Sequence, residues 1–325
     1  MSNDYLMELI EASDLAGLVA FVKRTCDAAD WDGLVEIRDQ CHEAVERGKQ
    51  LWGVAHYVDY RTARDAPASY LSDALSGAGR ASTVGPLWEV AASVKTWDEM
   101  RDHLPEGRVA ALAGYERALR GDVPTDDIDP ILDVPLETFA WEPPYELATY
   151  GEARVDVPYP DVPAMEWAEL PEVGAEVLND DAAVEALTDL VQPWWDTSNG
   201  KVEANVVEGS AYGAIRAFGP RRVRIAQVTP RKALAVMTWT AASGGAHGKR
   251  RGTPVGRSLA WWTMACLAGL EDAPHMDPTE IGEAMSELKF YVWDPGDAAG
   301  GWAFHMAIED PGDGLAWAVT AVDAV

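Results

Sequence analysis

The sequence predicts an α+β protein in three stretches. These are an N-terminal helical array over 1–121, a proline-rich acidic strap over 122–180, and a C-terminal α+β domain over 181–325 with a mostly antiparallel sheet. Apolar residues recur at 3/4 spacing through the first stretch. Nine of the 20 prolines fall in the second, a density that blocks both helix and central strand. The third alternates proline-led helix starts with short β-branched runs and closes on consecutive strand signals. A length of 325 residues fits about two domains, at roughly 100–200 residues each.

In the array the clearest helix is WDGLVEIRDQCHEAVERG over 31–48. Leu34, Ile37, Cys41, Ala44 and Val45 share one face, charges take the other, and Gly48 supplies a stop. Further helices fall near 5–24, 51–65, 68–76, 84–94 and 107–120. Short links imply antiparallel neighbours. A stacked array of the HEAT kind is one form this could take, although residue identity shows no clear period.

The strap carries Pro143-Pro144 and Pro158, Pro160 and Pro163. It also carries Phe139, Trp141, Tyr145, Tyr150, Tyr159 and Trp167. A free linker has little use for aromatic rings. The stretch therefore reads as extended chain anchored by its rings, the alternative being a solvated acidic linker.

In the third stretch a helix covers about 181–192 and stops near Pro193. A strand follows at 201–208, then a short helix capped by Ser210 and ended by Gly219-Pro220, then a strand at 222–228. Thr229-Pro230 and Thr253-Pro254 both read as a hydroxyl N-cap with proline at the first helical position. A helix at 277–287 precedes strands at 288–294, 301–309 and 314–323, and Pro311-Gly312-Asp313-Gly314 turns the last hairpin.

The formal net charge is -28, from 26 basic and 54 acidic residues. That balance argues against duplex nucleic acid, whose phosphates require a Lys/Arg surplus. The charge is uneven. Residues 122–200 hold 20 carboxylates and one cation, Arg154, whereas residues 209–270 hold ten cations and no carboxylate. Burial could exclude carboxylates, but it would not retain ten cations. The resulting field attracts an anion, either a ligand or the chain's own acidic segment. Three cysteines are too few for a disulfide framework. No run of ~18 apolar residues indicates a membrane span. The acidic start MSNDYLMELIEASD lacks the features of a secretory signal. The expected setting is a reducing cytoplasm with no membrane contact.

The densest candidate site lies in Ser243-Gly-Gly-Ala-His-Gly-Lys-Arg-Arg-Gly-Thr253. Gly244, Gly245 and Gly248 allow close backbone approach. Lys249, Arg250, Arg251 and, further on, Arg257 bring positive charge, and guanidinium grips phosphate or carboxylate at two points. Thr253 opens a helix whose N-terminus favours an anion. His247 can move a proton near neutral pH and is the one candidate catalytic residue. This is not a phosphate-binding G-x-x-x-x-G-K-[ST] loop, since Ser243 and Arg250 occupy its first-glycine and hydroxyl positions. A predicted helix, not a strand, precedes it, which excludes a dinucleotide fingerprint. The competing reading is a basic loop joining two core helices and paired to the acidic strap. A second candidate, Trp194-Trp195-Asp196-Thr197-Ser198-Asn199-Gly200, reads as a turn with aromatic anchors, or as a pocket rim presenting Asp196 or Asn199.

Metal and cofactor signals are absent. His42, His56, His103, His247, His275 and His305 form no H-x-x-x-H pair, and no C-x-x-C exists. Cys266 sits in an apolar helix as an inert core thiol, and no G-x-S-x-G element supports a nucleophilic triad.

The run TAASGGAHGKRRGTPVGRSLAWW from Thr240 to Trp262, with GPLWEVAAS at 85–93 and the ending at 302–324, resembles an uncharacterised bacterial family, a domain of unknown function. The resemblance spans most of the chain and implies no activity or cofactor. Two functions remain open. One is a binding or scaffold protein that engages a protein partner through an acidic helical surface. The other is an enzyme or sensor for a small phosphate-bearing anion held at residues 243–253.

Overall fold

The computed structural model describes residues 3–76, 84–124, 128–172, 175–178, 182–272, 277–296 and 301–324. The chain forms two compact units, one of residues 1–131 and 148–156, the other of residues 132–147 and 157–325. The proline-rich stretch therefore contributes to both.

The first unit contains α1 (Asn3–Ala12), α2 (Leu15–Asp27), α3 (Trp31–Glu46), α4 (Trp52–Asp65), α5 (Leu71–Leu75), α6 (Leu87–Val94), α7 (Trp97–Met100) and α8 (Arg108–Leu119). It also holds a small hairpin, β1 (Thr149–Tyr150) with β2 (Val155–Asp156). The single helix expected over 5–24 is two. Ser13 takes a left-handed turn at φ 51°, and the Asp14 carboxylate then accepts from the Gly17 N–H to start α2. Asp30 starts α3 in the same way through Gly33. Leu34, Ile37, Cys41, Ala44 and Val45 form the buried face of α3, as their spacing predicts. They pack with Ile10, Leu18, Leu51 and Val58 in one core.

Extended chain at 148–156 has carbonyls with few strand partners, and arginine side chains satisfy them. Arg64 Nε donates to Tyr150 O at 3.0 Å, and Arg120 Nη2 donates to Ala148 O at 2.8 Å. The Tyr150 hydroxyl donates to the buried Glu89 of α6 at 2.6 Å.

The second unit contains β3 (Glu166–Glu169), α9 (Ala182–Asp189), α10 (Gln192–Asp196), β4 (Lys201–Glu208), α11 (Ala211–Ala217) and β5 (Arg222–Val228). It continues with α12 (Pro230–Ala242), α13 (Thr253–Leu267), α14 (Pro278–Glu287), β6 (Lys289–Asp294), β7 (Gly301–Asp310) and β8 (Leu315–Ala324). The strands form one antiparallel sheet in the order β3-β5-β6-β7-β8-β4. The last hairpin turns where expected, with Asp310 paired to Leu315 and the Asp310 carboxylate accepting from the Gly312 N–H at 2.7 Å.

Three elements of the second unit also differ from expectation. The edge strand β3 forms inside the proline-rich stretch because residues 164–170 lie between Pro163 and Pro171 and contain no proline. The helix expected over 181–192 ends at Asp189, and Pro193 stands in the first turn of a further helix, α10. Residue 181 and His275 lie outside the described residues. Thr253 is not the N-cap of α13. Gly252 is, at φ 94°, and Thr253 is the first helical residue. No described helix is long and apolar enough to cross a membrane.

Candidate functional site

The loop between α12 and α13 is closed by Asp323 of β8. This fully buried carboxylate accepts from the Ala246 N–H at 2.6 Å and the Ser198 hydroxyl at 2.8 Å. The Asn199 amide donates to it at 2.9 Å in the orientation that satisfies both amide atoms. Gly245, at φ 70°, lies so close to Asp323 that a Cβ there would collide with the carboxylate. Side chains on Gly244 or Gly248 would strike the loop's own backbone. The close approach these glycines permit is thus made by the protein itself. Trp194 Nε1 donates to Ser243 Oγ at 3.0 Å and fixes the loop's start.

Four cations of the acid-free window, Arg257, Arg231, Arg216 and Arg222, bond the proline-rich stretch. Arg257 is buried in α13, where Nε donates to Glu142 Oε2 at 2.6 Å and Nη2 to Glu142 Oε1 at 2.8 Å. Its remaining donors reach Pro135 O at 2.6 Å and Glu137 O at 2.9 Å. Glu142 also accepts from the Phe139 N–H, Trp261 Nε1 and the Tyr145 hydroxyl. Burial, then the Glu142 charge, pushes the Tyr145 phenol well above its ordinary range. Around this pair, Trp141 and Phe139 pack on Trp261 at ring separations of 4.9 and 5.9 Å. Arg231 donates to Glu142 O, Arg216 to Pro171 O, and Arg222 pairs with Glu169 at 3.4 Å. Phe139 and Trp141 therefore anchor the strap, and the arginines bind its carbonyls more often than its carboxylates. A proline-rich extended segment leaves many carbonyls without a backbone donor, and guanidinium supplies several donors at once.

Arg251 donates to Asp189 O at 3.0 Å and Leu190 O at 2.9 Å, closing the end of α9, and burial lowers its pKa to about 10. Arg250 donates to Thr253 Oγ1 at 3.0 Å. His247 and Lys249 are exposed and, with Gly248, line a cleft of about 410 Å³ whose other wall is Gln192, Pro193, Asp196 and Thr197. Of the sequence candidates, His247, Gly248 and Lys249 come together there with Asp196. Gly244, Gly245, Arg251, Thr253 and Arg257 serve the loop and its neighbours. Asp323 and Glu142 belong to no motif, and sequence reasoning missed both.

In the first unit, the solvent face of α3 presents Asp32, Glu36, Asp39, Glu43 and Glu46, all exposed, at intervals of 4, 3, 4 and 3 residues. At ~1.5 Å per residue this stripe runs about 21 Å. Arg38 pairs with Asp39 at 2.8 Å and Arg47 with Glu43 at 3.7 Å, leaving the stripe net negative. The Trp52 ring, 43 % exposed, lies 6.4 Å from His42 of α3 and 5.9 Å from His56. The 4-3-4-3 spacing is visible in the sequence. The packing of Trp52 on His42 of α3 is not.

Among the described residues no group of three His, Cys, Asp or Glu side chains could hold a metal ion. Cys41 is buried, and burial pushes its thiol up to about 11. No curated protein and no solved structure matches the chain. A family of unknown function, DUF6183, matches residues 16–312, which is most of the chain, and the protein belongs to that family.

Proposed function

We propose that the protein is a binding protein whose helical unit receives a Lys/Arg-rich segment of a protein partner along α3. The observation that carries this reading is the stripe of five exposed carboxylates on α3, together with the exposed Trp52 ring packed against His42 of that helix. Carboxylates at this spacing attract and orient a cationic segment over several turns. An exposed indole face adds a cation–π contact, worth about 0.5–1 kcal/mol at an accessible site. Tryptophan is also a common anchor of protein interfaces.

The test uses fluorescein-labelled octa-arginine as the probe. The triple variant Glu36→Gln/Glu43→Gln/Glu46→Gln and Trp52→Ala should each weaken binding, the triple by roughly tenfold or more. Neutralising Glu169, Glu172 and Glu176 should leave binding within about twofold. Equal losses from both triple variants would reduce the interaction to the general acidity of the chain and sink the reading.

A second reading keeps a small phosphate-bearing anion at the cleft of His247, Gly248 and Lys249, supported by the exposed cation and imidazole on one wall. Arg250 and Arg251 stand behind that wall and would add field. Inorganic phosphate and nucleoside monophosphates should then raise the melting temperature, and Lys249→Ala should abolish the rise. A ligand at ~100 Kd adds about 2.7 kcal/mol. A flat response across these anions would leave the cleft without this role.

A further inference from the structure

A larger cleft, of about 580 Å³, opens in the first unit and is lined in part by Trp31, Arg64, Asp65, Lys95, Glu99 and His103. That volume suits a small molecule. Lys95 is the residue at which α6 ends. Its backbone is extended, and Nζ donates to Ala63 O at 2.7 Å and Arg64 O at 3.1 Å at the end of α4. The side chain is buried. Among the described residues no carboxylate forms an ion pair with it.

The carboxylates nearest in kind already hold other partners. Asp65 accepts from Arg61 at 2.5 Å and Arg64 at 2.7 Å. Glu99 accepts from the Thr96 N–H at 2.8 Å and its hydroxyl at 3.0 Å, in the capping box of α7. A lysine ammonium without a close counter-charge in a desolvated position gives up its proton readily. Burial lowers the Lys95 pKa to about 8. Arg64 acts in the same direction, against Asp65 and Glu99.

We propose that Lys95 is a nucleophilic amine in the wall of this cleft, and that it captures a small aldehyde or ketone as a Schiff base. The neutral amine keeps two N–H bonds, matched to the two carbonyls of Ala63 and Arg64, and its lone pair attacks the carbonyl carbon. The nitrogen passes one proton to the former carbonyl oxygen, giving a carbinolamine. One further proton, taken from solvent through His103, joins that oxygen, which leaves as water while the nitrogen lone pair closes the C=N bond of a protonated Schiff base. The protonated Schiff base retains one N–H, so one of the two carbonyl hydrogen bonds is given up. Glu99 and His103, in the same cleft lining, are the groups that can relay these protons. The rest of the lining, with Trp31, Pro67 and Val94 apolar and the Arg64 charge already paired with Asp65, fits a short uncharged carbonyl compound.

The experiment treats the full-length protein with glycolaldehyde and cyanoborohydride at pH 7, and maps reduced adducts by peptide mass spectrometry. At that pH an amine of pKa about 8 is roughly 300-fold richer in its neutral form than an ordinary lysine. Weaker intrinsic nucleophilicity and burial reduce the advantage. Lys95 is still expected to label about tenfold or more faster than exposed Lys23, Lys201 and Lys249. Its rate should rise through pH 8 and then level, and its lead should vanish in concentrated urea. Labelling of Lys95 no faster than the exposed lysines in the folded chain overturns the proposal, as does a lead that survives unfolding.

Discussion

Arg257→Ala is expected to destabilise the second unit by about 3–5 kcal/mol, because it strands the buried Glu142 carboxylate without its cation. It also leaves the carbonyls of Pro135 and Glu137 without their guanidinium donors. Glu142→Ala should cost a similar amount for the converse reason. Replacing both, as Arg257→Met/Glu142→Leu, should recover much of the loss, since an ion pair deep in a protein gains little over well-packed apolar groups. Urea unfolding followed by tryptophan fluorescence reads all of these, with Trp261 in contact with the pair and Trp141 packed on Trp261. Single variants within about 1 kcal/mol of the parent would mean that the pair does not hold the segment.

Asp323→Ala should cost about 2–3 kcal/mol, the loss of a buried charged acceptor from several donors at once. The effect should be local as well as global. The Ala246 amide should lose its exchange protection, and the loop from Gly244 to Gly248 should open, because the left-handed backbone at Gly245 is braced against that carboxylate. Asp323→Asn keeps one acceptor oxygen and should cost less. An Ala246 amide that exchanges at the same rate in Asp323→Ala and the parent would contradict this role.

Much of the fold was legible because it rests on local rules. The strands at 201–208 and 222–228 match β4 and β5, and the apolar face of α3 matches its buried face. The Thr229-Pro230 start is a true cap, with the Thr229 hydroxyl accepting from the Lys232 N–H. The errors came where short-range signals competed. Asp14 cut one helix into two, and Gly252 displaced Thr253 as a cap by adopting a backbone angle open to glycine.

The candidate site was less legible. The acid-free window announced a set of cations but not their partners. Glu142 lies 115 residues from Arg257 in sequence, and nothing local marks it among the 20 carboxylates of 122–200. The same holds for Asp323, one of several acids near the C-terminus. Lys95 carries no motif either, and its chemistry arises from burial and from two carbonyls at the end of another helix. Pairings at long sequence separation are a property of the packed chain.

Four arginines of the acid-free window, Arg216, Arg222, Arg231 and Arg257, hold the chain's own proline-rich segment, with Arg257 at the centre. Amide exchange at Phe139 and Glu142, measured in the parent and in Arg257→Ala, tests it most directly. The Phe139 N–H donates to the Glu142 carboxylate and the Glu142 N–H to Phe139 O, so both report on the anchored turn. The account predicts strong protection in the parent at low and high salt alike, since the pair is buried from screening ions. In Arg257→Ala it predicts exchange roughly 100-fold faster at both sites, with amides of α3 and α4 unchanged. Equal protection of Phe139 and Glu142 in the two proteins would contradict it.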